Sequence, residues 1–195
     1  MPKIGMEPIR RRALVDAAIA EIGRTGTLDV TVSQIARKAG MSSALAHHYF
    51  GSKDQMFLSA MRAVLNSFGT EVCSSLRGLA GHKERILAVI GACFSEQNFR
   101  PEVVAAWLNF YVLAQTSPEA RRLLTVYYRR LNSNLVHDLR PLIGTRAPGT
   151  ARAIAALIDG LYIRQALREE NLTGAASVAL VSSYVESALS QEARP

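Results

Sequence analysis

Residues Thr31 to Phe50 read TVSQIARKAGMSSALAHHYF, and the polar groups of the part after Gly40 are hydroxyls and imidazoles. Ser43, Ala44, His47 and His48 fall on one side of a short helical segment, while Leu45 and Tyr49 stand four residues apart on the side that packs inward. A helix whose outer face is small and polar is built to meet a polar partner rather than to complete a core. His47 and His48 are adjacent, so their rings leave in different directions and make a poor ligand pair. No metal-ligand cluster, phosphate-binding glycine loop or G-x-S-x-G elbow occurs anywhere in the chain. The chemistry expected of this segment is recognition, not turnover, and the protein is expected not to be an enzyme.

The elements that position this face are legible. Thr31 and Gln34 have the spacing of a capping box. Val32, Ile35, Ala36 and Ala39 form an apolar stripe, with Arg37 and Lys38 off it. Gly40 sits where a helix stops in the left-handed conformation, and Ser42 caps the next helix. Cap, stripe, glycine turn and second cap make a helix-turn-helix, which places its second helix in the major groove of DNA.

Composition sets the frame. The 195 residues are 49% hydrophobic and 20% charged, a globular balance with ample core. The net charge of +7 favours a polyanionic partner, but it is spread, +3 through residue 60 and +4 beyond, so it does not locate the surface. Cys73 and Cys93 fit neither a metal spacing nor a disulfide framework and are expected as buried free thiols in a reducing cytoplasm. With no apolar leader and no run of eighteen apolar residues, no secretory signal and no membrane span are expected. No cofactor or metal is expected.

Periodicity predicts an all-α chain of about nine helices. Glu7–Thr25 is the first, and the two short helices of the motif follow. A fourth begins at Lys53, behind Ser52, and ends at Gly78. One from His82 ends near Asn98, one opens at Pro101, and one runs from Pro118 to about Arg140. Pro141, Gly144, Pro148 and Gly149 predict a loop before a helix over Thr150–Glu170, and Thr173 caps the last. The division expected is a DNA-binding domain at 1–52 and a ligand-binding and dimerisation domain at 53–195. Ile154, Leu157, Ile158, Leu161 and Tyr162, with Val178, Val181, Tyr184, Val185 and Leu189, widen the apolar arc of the last two helices. Such an arc suits a four-helix interface between two subunits. A homodimer then reads a palindromic, double-stranded operator through two half-sites.

Thr31, Ile35, Ala36, Ala39, Gly40, Ser42, Phe50 and Lys53 match the signature of the TetR family of bacterial repressors, which the chain resembles over its N-terminal part. Met41 replaces the usual Val, Ala44 the usual Gly, and His47 a Tyr that touches phosphate. The resemblance implies that Ser43, Ala44 and Leu45 approach base edges. It assigns Thr31, Ser42, His48, Tyr49 and Lys53 to phosphates, with His47 able to donate one hydrogen bond there. Lys3, Arg10, Arg11 and Arg12 form a basic arm that could meet the backbone or minor groove.

The opening MPKIGMEPIRRRALVDA and the segments HHYF, AAWLNFY, RRLNSNLVHDLR and AALIDGLYIR resemble a narrower group in that family, the choline-responsive repressors of glycine betaine synthesis. The effector implied is choline, a quaternary ammonium best held by aromatic faces beside a carboxylate. Trp107, Phe110 and Tyr111 on one helix and Tyr127 and Tyr128 on the next are the aromatic candidates. Glu96 and Asp159 are the acids set among apolar neighbours. The alternative is a repressor of the same fold that answers to a drug or a lipid-like molecule.

Overall fold

The computed structural model describes residues 5–167 and 172–190. Among them the chain is all-α, as expected, with nine α-helices. These are α1 Met6–Thr25, α2 Val32–Lys38, α3 Ser43–Phe50, α4 Lys53–Ser75, α5 His82–Cys93, α6 Pro101–Thr116, α7 Pro118–Ile143, α8 Ala147–Leu167 and α9 Gly174–Ser190. They gather into two compact units, Met1–Leu65 with Pro101–Leu123, and Asn66–Arg100 with Leu124–Pro195. Both α4 and α7 run unbroken from one unit into the other.

Local chemistry sets most helix starts. Thr31, Ser42, Ser52, Ser117 and Thr173 each accept a backbone N–H through the side-chain hydroxyl three residues ahead. Pro101 and Pro118 open α6 and α7, where a missing N–H costs nothing. One expected loop is absent. Helix α7 continues through Pro141 to Ile143, a single 3-10 turn covers Gly144–Arg146, and α8 already begins at Ala147. Pro141 lies in the last turn of α7, and Pro148 and Gly149 lie in the first turn of α8, where N–H groups have no helical partner anyway. The expected end of α8 at Glu170 lies outside the described residues, as does Lys3 of the basic arm.

In the first unit α6 lies directly on α1. A Cβ at Gly23 would stand 2.4 Å from the Glu102 Cα, so the two backbones touch where no side chain intervenes. Three residues on, Asn109 on α6 donates to the Gly26 carbonyl at 3.2 Å, just past the end of α1. Glu21 on α1 is buried and pairs with Arg24 (2.8 Å) and Lys38 (3.0 Å), tying α1 to α2. The hydrogen bonds from Arg24 and Lys38 hold its carboxyl below the usual range against the opposing effect of burial.

In the second unit Asp138 on α7 is 2% exposed and accepts from Arg85 Nε and His82 Nδ1 on α5, each at 2.9 Å. Helix α9 sits so close to the end of α5 that a Cβ at Gly174 would be 2.3 Å from the Phe94 carbonyl oxygen. Along α8 and α9, Leu157, Ile163, Leu167 and Leu180 remain exposed, at 39–61%. No helix is long and apolar enough to cross a membrane among the described residues.

Candidate DNA interface and effector site

The helix-turn-helix is assembled as its sequence spacing requires. The Thr31 hydroxyl accepts from Gln34 N at 3.2 Å, and the Gln34 side chain accepts from Thr31 N at 2.7 Å, a complete capping box. Gly40 takes a φ of 67°, and Met41 N returns to the Ala36 carbonyl at 2.8 Å, closing the turn. Ser42 then caps α3 at Leu45 N, 3.2 Å. Of the eight residues of α3 only Ala46 is buried. Ala44, His47 and His48 are exposed, and Leu45, Tyr49 and Phe50 are half-buried.

Three side chains differ from the expectation in detail. The Ser43 hydroxyl is spent on Ser33 of α2 at 3.0 Å, so Ser43 is half-buried rather than fully outward. The Thr31 hydroxyl proton points to Gln34 Oε1 at 3.0 Å, which leaves it little to give a phosphate. His47 places Nδ1 at 3.3 Å from the Gly51 carbonyl, which can only accept, so Nδ1 is the donor. A phosphate hydrogen bond from its other nitrogen then requires the imidazolium form.

Two cations lie beside this surface. Lys53 in the first turn of α4 holds its ammonium 5.5 Å from the Phe57 ring centre. Arg11 on α1, paired with Glu7 at 2.8 Å, lies 5.4 Å from the ring centre of Tyr49 and 5.5 Å from that of Phe50. The stacking of Arg11 on the last residues of α3 escaped sequence reasoning, because nothing in the local spacing of α1 points to a ring forty residues away.

The ligand candidates divide between the units. Trp107 and Phe110 are buried in the first, with Tyr111 half-buried and its ring centre 5.8 Å from that of Trp107. Tyr127, Tyr128, Glu96 and Asp159 belong to the second. The expectation that Glu96 is set among apolar neighbours is wrong: it is exposed. Helix α5 stops at Cys93, and Glu96 lies in the turn where Asn98 N and Phe99 N return to the Ser95 carbonyl. Cys73 is likewise exposed rather than buried; only Cys93 is enclosed.

An acid that the sequence reading did not single out, Glu71, lies half-buried one turn beyond Phe68 on α4. It accepts from Asn98 Nδ2 at 2.7 Å. Asn98 is 2% exposed and also donates to the Ala92 carbonyl at 2.8 Å. The Asn98 carbonyl accepts from the Tyr162 hydroxyl at 3.2 Å, which also donates to the Cys93 carbonyl. One turn before Tyr162 on α8, Asp159 accepts from the Tyr128 hydroxyl at 3.2 Å. Tyr128 contacts Tyr127 (5.3 Å between ring centres), and Tyr127 meets Phe68 edge-on at 5.3 Å. Phe68 returns the path to Glu71 on the same face of α4. Two runs of contacts, Glu71–Asn98–Tyr162 and Asp159–Tyr128–Tyr127–Phe68, joined through single turns of α4 and α8, thus form an aromatic circuit that carries two carboxylates, with Phe94 and Phe99 packed on Tyr162.

Burial raises the Tyr127 and Tyr162 phenols well above their ordinary value, with nearby Cys93 and Asp159 adding to it. The Cys93 thiol is raised for the same first reason, and both Asp159 and Glu71 contribute. These hydroxyls therefore stay protonated, as donors.

The geometry finds its counterpart in known proteins. The family described as bacterial regulatory proteins, tetR family, matches residues 14–60, and that described as BetI-type transcriptional repressor, C-terminal, matches residues 82–190. The chain is 52% identical over 186 residues to the HTH-type transcriptional regulator BetI of Brucella anthropi, covering 95% of this chain and 96% of that one. It is 51% identical over 190 residues to BetI of Rhizobium meliloti, covering 97% and 94%. A transcriptional regulator from Saccharomonospora viridis, solved in complex with choline, shares the fold with a TM-score of 0.81 at 23% identity over 90% of this chain and 95% of that one. The chain belongs to the TetR family of transcriptional regulators, among the BetI-type repressors.

Proposed function

We propose that this repressor acts as a cytoplasmic homodimer on the genes that oxidise choline to glycine betaine, and that choline releases it from a palindromic operator. The functional division is 1–52 for DNA and 53–195 for effector and partner. Ala44, Leu45 and the backbone around Ser43 face the bases, while Ser42, His47, His48, Tyr49 and Lys53 hold phosphates. Thr31 contributes by fixing the start of α2. The exposed Leu157, Ile163, Leu167 and Leu180 of α8 and α9 support pairing through those helices.

The observation that carries the choline reading is the aromatic circuit with Asp159 and Glu71 in it. A trimethylammonium group has no N–H to donate, so it favours ring faces and nearby negative charge. Such a site suits an organic cation better than an acyl chain. Helix α4 starts two residues after α3 ends and carries Phe68 and Glu71 near its other end. An occupant that moves α4 changes the spacing of the two recognition helices in the dimer, provided it binds the two states unequally.

The test is a gel-shift titration on the DNA upstream of the protein's own gene with choline, betaine aldehyde and betaine. Choline is expected to release the complex at millimolar concentration. An operator affinity indifferent to choline rejects the reading.

A further inference from the structure

We infer that Glu71, on α4, is the residue that reads the positive charge of the effector and so sets the preference for a quaternary ammonium over a neutral molecule of the same shape. This rests on the reading of the second unit as the choline site. Glu71 is half-buried, and its one hydrogen-bond partner among the described residues is the neutral amide of Asn98. None of the ion pairs among the described residues involves it. Its charge is therefore met by a dipole and not by a cation. By contrast the buried Asp138 has Arg85 and His82, and the buried Glu21 has Arg24 and Lys38.

The position of the carboxylate is fixed from behind. Asn98 is held by the Ala92 carbonyl and its own carbonyl is held by Tyr162, so the amide that fixes Glu71 has little freedom to turn away. On the same face of α4, Phe68 presents its ring one turn earlier, against Tyr127. Glu71 thus lies on the rim of the aromatic circuit with its orientation set and its charge uncompensated. Asp159 lies one turn before Tyr162 on α8 and accepts from Tyr128. Of the two carboxylates, the one on α4 belongs to the helix that leads back to the recognition helix.

Glu71→Gln separates charge from structure. The amide oxygen still accepts from Asn98, and only the negative charge is lost. The experiment measures binding of choline and of 3,3-dimethylbutan-1-ol, its uncharged carbon isostere, to wild type, Glu71→Gln and Glu71→Asp by calorimetry on the full chain. The wild type is expected to prefer choline. In Glu71→Gln the choline affinity should fall about tenfold or more, as for loss of one partner of a close charge pair, while the alcohol binds as before. Glu71→Asp, which keeps the charge, should keep the preference. The ratio of the two affinities is independent of the folded fraction, so a poorly folded variant still reports.

Choline bound equally well by wild type and Glu71→Gln overturns the inference and leaves the choline reading intact. Equal loss of choline and alcohol in Glu71→Gln also overturns it, because the residue would then be shaping the site rather than reading charge. A wild type that binds no choline overturns both.

Discussion

Gly23→Ala sets two effects of known sign against each other. In a helix interior alanine is favoured over glycine by about 0.8–1.0 kcal/mol, an upper bound for Gly23 in the last turn of α1. Against this, the added methyl would stand 2.4 Å from Glu102 Cα and 2.5 Å from Glu102 Cβ. Ordinary carbon contacts lie near 3.5–4.0 Å, so α1 and α6 would have to part by about 1 Å or more. The nearest atom is backbone, so no rotamer change relieves it. Overpacking of this kind costs about 1–3 kcal/mol, and the rigid partner places Gly23 at the upper end. The net expectation is a loss of about 2 kcal/mol, which for a chain of this size lowers Tm by roughly 4–8 °C. Gly91 is the matched control: it lies in the last turn of α5 with nothing within 4 Å of a built Cβ, so Gly91→Ala should gain stability, by up to about 1 kcal/mol. Thermal unfolding followed by circular dichroism, at equal protein concentration, reads both. A Gly23→Ala protein that melts above wild type would show that helix propensity outweighs the contact and that α1 and α6 do not pack as described.

Tyr162→Phe should cost about 1–3 kcal/mol in chemical denaturation, because two buried carbonyls, of Cys93 and Asn98, lose their donor; no measurable loss would refute it. Tyr127 and Tyr162 have raised phenol values in the folded chain, so their contribution is complete below the ordinary tyrosine value of about 10 and is lost as the pH climbs beyond it. Absorbance at 295 nm should therefore show these two ionising only with unfolding. Glu21 has the opposite sign: its lowered value gives stability at neutral pH that disappears on acidification through that value, so Glu21→Gln should be less stable at neutral pH and less sensitive to acid. Lys53→Ala removes one phosphate contact from each half-site, so it should reduce the slope of log affinity against log salt by about 1.8 for the dimer; an unchanged slope would remove Lys53 from the DNA surface.

What the sequence disclosed and what it hid follow from the range of the forces involved. The box at Thr31 and Gln34, the left-handed Gly40 and the cap at Ser42 are agreements between residues at most four apart, and all are found in place. The proline-bearing segment at 141–149 misleads because proline is tolerated in a first helical turn as well as in a loop. Glu96 misleads because its apolar neighbours in sequence belong to a turn, not to a helix face. Glu71 had a readable signal. Val64, Phe68 and Val72 are all buried at helical spacing, and a residue three beyond Phe68 shares that face. The Arg11 stack on Tyr49 and the Gly23–Glu102 approach are tertiary and left no trace in local spacing.

The solitary anchoring of α3 has a consequence for how such repressors diversify. Because Ala46 alone of that helix is enclosed, exchanges at Ala44, His47 and His48 touch no packed interior and should each shift folding stability by no more than about 0.5 kcal/mol. On the docking proposed above those same positions lie against the DNA, where one good base contact is worth about 1–3 kcal/mol. Mutation can therefore rewrite which operator is read almost without taxing the scaffold, so a duplicated gene could acquire a new regulon through a handful of exposed codons.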